Sequence, residues 1–272
     1  MKSSFPNLTT ESSAPVVLSE QQDGVLLLTL NRPDRMNGWT PDLEAAYFDL
    51  LDAGDADPGV RVIVVTGAGR AFCAGADMGR LKALSSGAQK MTARSRPKTH
   101  PLSIRKPIVA AINGACAGIG LLEALCCDVR IASREAKFTT ALVRRGLIAE
   151  HGLSWILPRV VGFADSVELL LSGRVLLGEE AERLRLVHRA LAPEAVLPAA
   201  LEYARDLAAN CSPAALAAIK WQAYRHVDGR LDEALRESAP LMHKAVAGDD
   251  FKEGVASFAE RRPPHFAPLT GP

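Results

Sequence analysis

Lys106-Pro107-Ile108-Val109-Ala110-Ala111-Ile112-Asn113-Gly114-Ala115-Cys116-Ala117-Gly118-Ile119-Gly120 is the stretch from which the fold is read. Ile108–Asn113 opens as an almost unbroken apolar run, the pattern of a strand buried on both faces. Gly114, Gly118 and Gly120 follow, and then Gly118–Cys127, a helix too apolar to lie on a surface. The same order occurs upstream. Val60–Thr66 is a β-branched strand ending in Gly67-Ala68-Gly69, and Ala71-Phe72-Cys73-Ala74-Gly75-Ala76-Asp77-Met78 is a second segment of small residues. Asp128–Ala132 supplies a third strand. Buried strands alternating with glycine-bearing turns and helices indicate an α/β architecture.

On the N-terminal side, Val16–Glu20 and Gly24–Asn31 read as a hairpin joined by Gln21-Gln22-Asp23. Thr40 before Pro41 is an N-cap and first-turn pair. With Asp42 and Glu44 favouring the positive helix end, it predicts a helix to about Ala53. Beyond about Pro198 strand candidates cease. Helices are expected from Ser212-Pro213 through Tyr224, within Leu231–Ala247 with a perturbation at Pro240, and from Asp249-Asp250 to about Arg261. The chain thus divides into an α/β part, residues 1–200, and a helical part, residues 201–272.

The composition narrows the function. The chain has 272 residues, 48% of them apolar, and a net charge of +1 from 32 basic and 31 acidic side chains. That excludes a nucleic-acid binder held by bulk positive charge. No apolar run approaches the ~20 residues of a membrane-spanning helix, and Met1–Pro15 lacks the apolar core of a secretory signal. Five cysteines without pattern read as reduced thiols, so a cytoplasmic location is expected. Charge is unevenly placed: no acid lies between Asp77 and Glu123, while Arg80, Lys82, Lys90, Arg94, Arg96, Lys98, Arg105 and Lys106 are basic. That run is either a solvated face or a local site for a phosphate-bearing ligand.

Several chemistries fail on specific residues. A dinucleotide fingerprint after Val60–Thr66 would need glycine where Phe72 stands. Gly152-Leu153-Ser154-Trp155-Ile156 lacks the closing glycine of a nucleophile elbow. The six histidines are scattered and no Cys-x-x-Cys pair exists, which gives a metal no support. Two small-residue segments remain, around Gly75 and Gly118. Each lets a ligand approach the backbone, and together they could aim two N–H donors at one oxygen. They could equally serve only tight turns and close helix packing.

Asn31-Arg32-Pro33, Phe72-Cys73-Ala74-Gly75-Ala76-Asp77, Lys106 through Gly114 and Cys127-Asp128 together resemble the crotonase (enoyl-CoA hydratase/isomerase) superfamily. Phe251-Lys252-Glu253-Gly254 through Phe258, Arg261, Arg262 and Pro263 resemble its C-terminal signature. The resemblance implies a spiral of ββα repeats with a C-terminal helical oligomerisation module, forming a homotrimer or hexamer. It implies an acyl-CoA thioester as partner, in fatty acid metabolism, with coenzyme A as part of the substrate and no separate cofactor. Its two enolate-stabilising N–H groups carry over to Ala76 and Ile119, the second replacing a customary glycine. Ala74, Asp77 and Gly118 then flank the substrate, and Arg35 beside the Asn-Arg-Pro loop is a candidate for the CoA phosphates.

The acid–base groups depart from the hydratase pattern. Hydratases of the family carry one glutamate nine residues after the asparagine of the Asn-Gly pair and another twenty residues further on. Here those positions hold Leu122 and Leu142, expected to line the acyl pocket. Glu123 is one residue away, a turn of ~100° on a helix. Glu150 falls where dienoyl-CoA isomerases and aryl-CoA dehalogenases of the superfamily carry a catalytic aspartate, with His151 beside it to orient it. Its other role would be a helix N-terminal charge. Trp155 and Arg144-Arg145 read as packing and surface charge. A single carboxylate favours moving a double bond over adding water.

Overall fold

A computed structural model describes residues 14–88 and 96–271, so Lys90 and Arg94 of the basic run lie outside the described residues. The chain opens with the hairpin β1 (Val17–Gln22) and β2 (Val25–Leu30). Its turn is Asp23-Gly24, at φ 52° and 77°. Gln21 and Gln22 continue β1 instead of turning. Asp-Gly is the pair that enters the left-handed region cheaply and matches strand twist. Thr40 Oγ accepts from Leu43 N–H at 3.2 Å and starts α1 (Pro41–Ala56), as expected.

Three ββα units follow. They are β3 (Val62–Gly67), β4 (Ala71–Cys73) and α2 (Met78–Ser85); β5 (Ile108–Ile112), β6 (Ala115–Ala117) and α3 (Ile119–Leu125); then β7 (Val129–Ser133), β8 (Lys137–Thr139) and α4 (Leu153–Val161). Next come α5 (Phe163–Ser172), β9 (Leu176–Leu177), α6 (Gly178–Arg183), β10 (Arg189–Leu191), α7 (Val196–Asn210), α8 (Pro213–His226), α9 (Leu231–Ala247) and α10 (Asp249–Glu260). The first strand of each unit enters a six-stranded sheet ordered β1-β2-β3-β5-β7-β10. The second enters a smaller sheet ordered β4-β6-β8-β9. Each unit therefore advances both sheets by one parallel strand, which makes the spiral.

The large sheet is apolar on both faces. One face packs with α1 and α3 in the main core, through Leu28, Ile63, Ile108, Leu43 and Leu125 among others. The other is covered by α7, whose Val196, Ala200, Ala204 and Ala208 recur every fourth residue and lie against Val62, Val64 and Val109. The division expected at residue 200 falls inside this helix, which belongs by its packing to the sheet. The helices α8–α10 follow, with α9 continuing through Pro240 as one helix. Asp128 ties α8 to the spiral: its carboxylate accepts from Ile108 N–H and Lys220 Nζ, each at 2.7 Å, and from Tyr224 Oη at 2.9 Å. No helix among the described residues is long and apolar enough to cross a membrane.

Candidate active site

Parallel strands end on one side, and ligands in such sheets gather beyond their carboxyl ends. Here β4, β6 and β8 lead into Ala74–Asp77, Gly118-Ile119 and Thr140–Leu142, which wall a cavity of about 470 Å³. The first two loops are pressed together. A Cβ on Gly75, at φ +103°, would lie 3.2 Å from Ala117 O, and one on Gly120 would lie 2.2 Å from Cys73 O. Only glycine at 120 lets α3 start so close to β4.

Backbone hydrogen bonding sets the direction of the donors. Trp39 N–H donates to Gly75 O at 2.8 Å and Asp77 N–H donates to Trp39 O at 3.1 Å, a bridge centred on Ala76. Because the groups flanking Ala76 face Trp39, its own N–H faces the other way. Ile119 is the first residue of α3, so its N–H has no partner within the helix. Both residues line the cavity. The Ile119 side chain packs partly buried against the main core.

The Asn-Arg-Pro loop is the scaffold behind this edge. Asn37, fully buried, accepts from Arg32 N–H at 2.8 Å and donates to Ala68 O and Ala71 O. Arg32 Nη2 donates to Asp77 Oδ2 at 3.0 Å, while Asp77 Oδ1 accepts from Gly79 and Arg80 N–H and caps α2. Partial burial works to raise the Asp77 carboxyl. Hydrogen bonds from Arg32, Arg80 N–H and Gly79 N–H overcome it and hold the group below its ordinary value. Asp77 lines the cavity, but both oxygens are already engaged.

The opposite wall comes from the segment after β8: Thr140, Leu142, Arg145, Leu147, Glu150 and His151. His151 at φ 56° and Gly152 at φ 85° form a left-handed turn before α4. Glu150 Oε2 lies 3.3 Å from His151 Nε2, with its carboxylate half-buried on the cavity wall. Of the expected site residues, Arg35, Ala74, Ala76, Asp77, Gly118, Ile119, Leu142, Glu150 and His151 meet at this one cavity. Leu122 does not line it; at 2% exposure it packs in the core beneath α3. Glu123 is buried in α3 and is likewise absent from the lining.

Four side chains of the basic run are engaged within the protein and not at the cavity. Arg96 bridges Asp49 and Asp52, buried Lys98 pairs with Glu44, and Arg105 donates to Asp55 at 2.8 Å. Lys106 Nζ donates to Gly54 O and Asp57 O at the end of α1. These four side chains fasten the 96–106 segment to α1; of the described basic residues in the run, Arg80 lines the cavity. Trp39, and Leu81 and Leu84 of α2, which no motif marked, also shape the cavity, and Arg145, expected only as surface charge, lines it too. Leu81 and Leu84, three apart on a short helix, were the available signal.

A family model described as enoyl-CoA hydratase/isomerase matches residues 20–268. The chain belongs to the enoyl-CoA hydratase/isomerase family. Within this crotonase superfamily it is 33% identical to the 1,2-epoxyphenylacetyl-CoA isomerase of Escherichia coli K12 over 256 residues, covering 92% of this chain and 97% of the relative. It is 36% identical to the (E)-benzylidenesuccinyl-CoA hydratase of Thauera aromatica, covering 93% and 98%. A probable enoyl-CoA hydratase/isomerase structure from Mycobacterium abscessus superposes with a TM-score of 0.86 at 32% identity, over 93% of this chain and 99% of that one. An enoyl-CoA hydratase structure from Mycobacterium marinum shares 50% identity over 77% of this chain and 97% of that one, with a TM-score of 0.67. The paired-sheet spiral is thus the enoyl-CoA hydratase/isomerase fold, and the cavity lies where its parallel strands end.

Proposed function

We propose that this enoyl-CoA hydratase/isomerase family member acts on an acyl-CoA thioester, holding its enolate between the Ala76 and Ile119 N–H groups and moving a proton with Glu150. The observation that carries this reading is the meeting of two backbone donors and the half-buried Glu150 carboxylate, which lies beside His151, on a single cavity. Proton removal beside the thioester carbonyl pushes an electron pair onto the carbonyl oxygen. Each preorganised donor aimed at that oxygen lowers the barrier by about 3 kcal/mol. The same carboxyl group then returns the proton to another carbon, and the double bond has moved. Coenzyme A enters as part of the substrate, and no other cofactor takes part.

Isomerisation is favoured over hydration because Asp77 is bound to Arg32 and the two hydratase positions hold leucines, one of them in the core. Relatives named as isomerase and as hydratase support the shared enolate chemistry. The test is an assay of crotonyl-CoA beside a 3-enoyl-CoA, with wild type and Glu150→Gln. Isomerisation of the 3-enoyl ester, abolished in E150Q with ester binding retained, is expected. Rapid hydration of crotonyl-CoA would make the protein a hydratase with an unusual water site. Binding without turnover across enoyl, dienoyl and 3-hydroxyacyl esters would make it an acyl-CoA-binding homologue.

The apolar residues left exposed on α8–α10 support self-association as a homotrimer or hexamer. Leu231 is 77%, Leu235 63% and Phe258 87% exposed. Unpaired cysteines, four of them buried, support a cytoplasmic location.

A further inference from the structure

Arg35, Arg80 and Arg145 line the cavity, and they come from different sides. Arg35 belongs to the Asn-Arg-Pro loop and Arg80 to α2. Arg145 ends a short 3-10 turn, Val143–Arg145, on the wall that also carries Glu150. Neither carboxylate of the cavity is ion-paired with Arg145: Asp77 is bound to Arg32, and Glu150 lies 3.3 Å from His151. Among the described residues Arg145 takes part in no ion pair. Its Nη1 donates to Ala141 O at 3.2 Å, which leaves further N–H donors of the guanidinium for a ligand. Its neighbours on the wall are Leu142 and Leu147. Arg145 N–H and Leu147 N–H both donate to Leu142 O, at 2.9 and 3.0 Å, so a closed turn presents the guanidinium.

A purely alkyl acyl group would gain nothing from a charge on this wall. We infer that Arg145 is a specificity-determining residue that recognises an anionic end of the acyl group, so that the preferred substrates are thioesters whose acyl chain carries a carboxylate. The placement rests on the proposed function, which runs the acyl chain along the Glu150 wall. A guanidinium binds a carboxylate through two parallel N–H···O bonds, a geometry that lysine cannot reproduce. The CoA phosphates offer related chemistry, and the test must separate the two sources.

Glutaryl-CoA and pentanoyl-CoA have the same acyl length and the same CoA, and differ at the distal end. Calorimetric binding of both to wild type, Arg145→Gln and Arg145→Lys decides the matter. Wild type is expected to bind glutaryl-CoA more tightly. R145Q should weaken glutaryl-CoA by about 10- to 100-fold and pentanoyl-CoA by less than about 3-fold, with R145K intermediate. Equal losses for both esters would place Arg145 on the CoA phosphates, and an absence of preference in wild type would overturn the inference outright. Neither ester reacts, so the result is independent of Glu150. Arg145-dependent glutaryl-CoA binding beside a fully active E150Q would sustain this inference while the proposed mechanism fell.

Discussion

Asn37 sits fully buried at φ 53° and makes hydrogen bonds from both ends of its amide. An asparagine tolerates the left-handed region better than most residues, and the bonds join the Arg32 loop to the turn between β3 and β4. Asn37→Ala would remove three hydrogen bonds, leaving the part-buried Arg32 N–H and Ala68 O without this partner and Ala71 O with only the longer bond from Asn113, and is expected to cost about 1–3 kcal/mol, measured as a shift in the urea midpoint. A shift within error would mean that water replaces the amide. Nothing in the sequence around Asn37 advertised this role, because the two carbonyls it donates to lie 31 and 34 residues away. The small-residue segments around Gly75 and Gly118 were legible as a local pattern, whereas the choice of Ala76 and Ile119 within them, both of which line the cavity, came from the family resemblance. Arg145 was not, because one arginine beside another reads as surface until the cavity wall is built.

At the scale of elements, the C-terminal tail is clipped to α10. Glu253 accepts two hydrogen bonds from Arg262 and one from His265 N–H at 2.7 Å. The Arg262 hydrogen bonds, with that of His265, lower its pKa from 4.5 to about 2. A lowered carboxylate contributes stability that is complete above 4.5 and fades as pH falls towards 2. The His265 amide should therefore be protected from hydrogen exchange at pH 5 and lose that protection towards pH 2, relative to Glu253→Gln, in which the dependence disappears. Protection that does not change between those limits would refute the clip. Long elements were read well from sequence: β3, β5, β7, α1 and α8 start within two residues of expectation. The strands of the smaller sheet span two or three residues, too short for any alternation to register, so the second layer stayed hidden. The contacts of the 96–106 part of the basic run stayed hidden for a related reason. Asp49, Asp52 and Asp55 recur every third residue on α1, but their pairing with a segment some fifty residues on is a tertiary fact.

For the whole molecule, the exposed apolar residues of α8–α10 lead to the expectation of a trimer or hexamer by analytical ultracentrifugation. Leu235→Glu should shift the wild-type assembly towards monomer. A monomeric wild type at micromolar concentration would leave those side chains without a partner surface. The family and the spiral could be named from motifs because those motifs are backbone requirements, whereas self-association depends on how separate helices align their apolar faces. One close contact in the middle of the molecule has a wider consequence. The close approach of the Cys73 carbonyl to Gly120 fixes the spacing of the Ala74–Asp77 and Gly118-Ile119 loops by main chain alone, while the walls are side chains from α2 and the segment after β8. If the two loops hold the enolate as proposed, catalytic spacing and substrate choice are separable traits. Randomising Leu84, Leu142 and Leu147 should yield folded proteins with altered acyl preference, and a laboratory lineage could change its diet without relearning its chemistry.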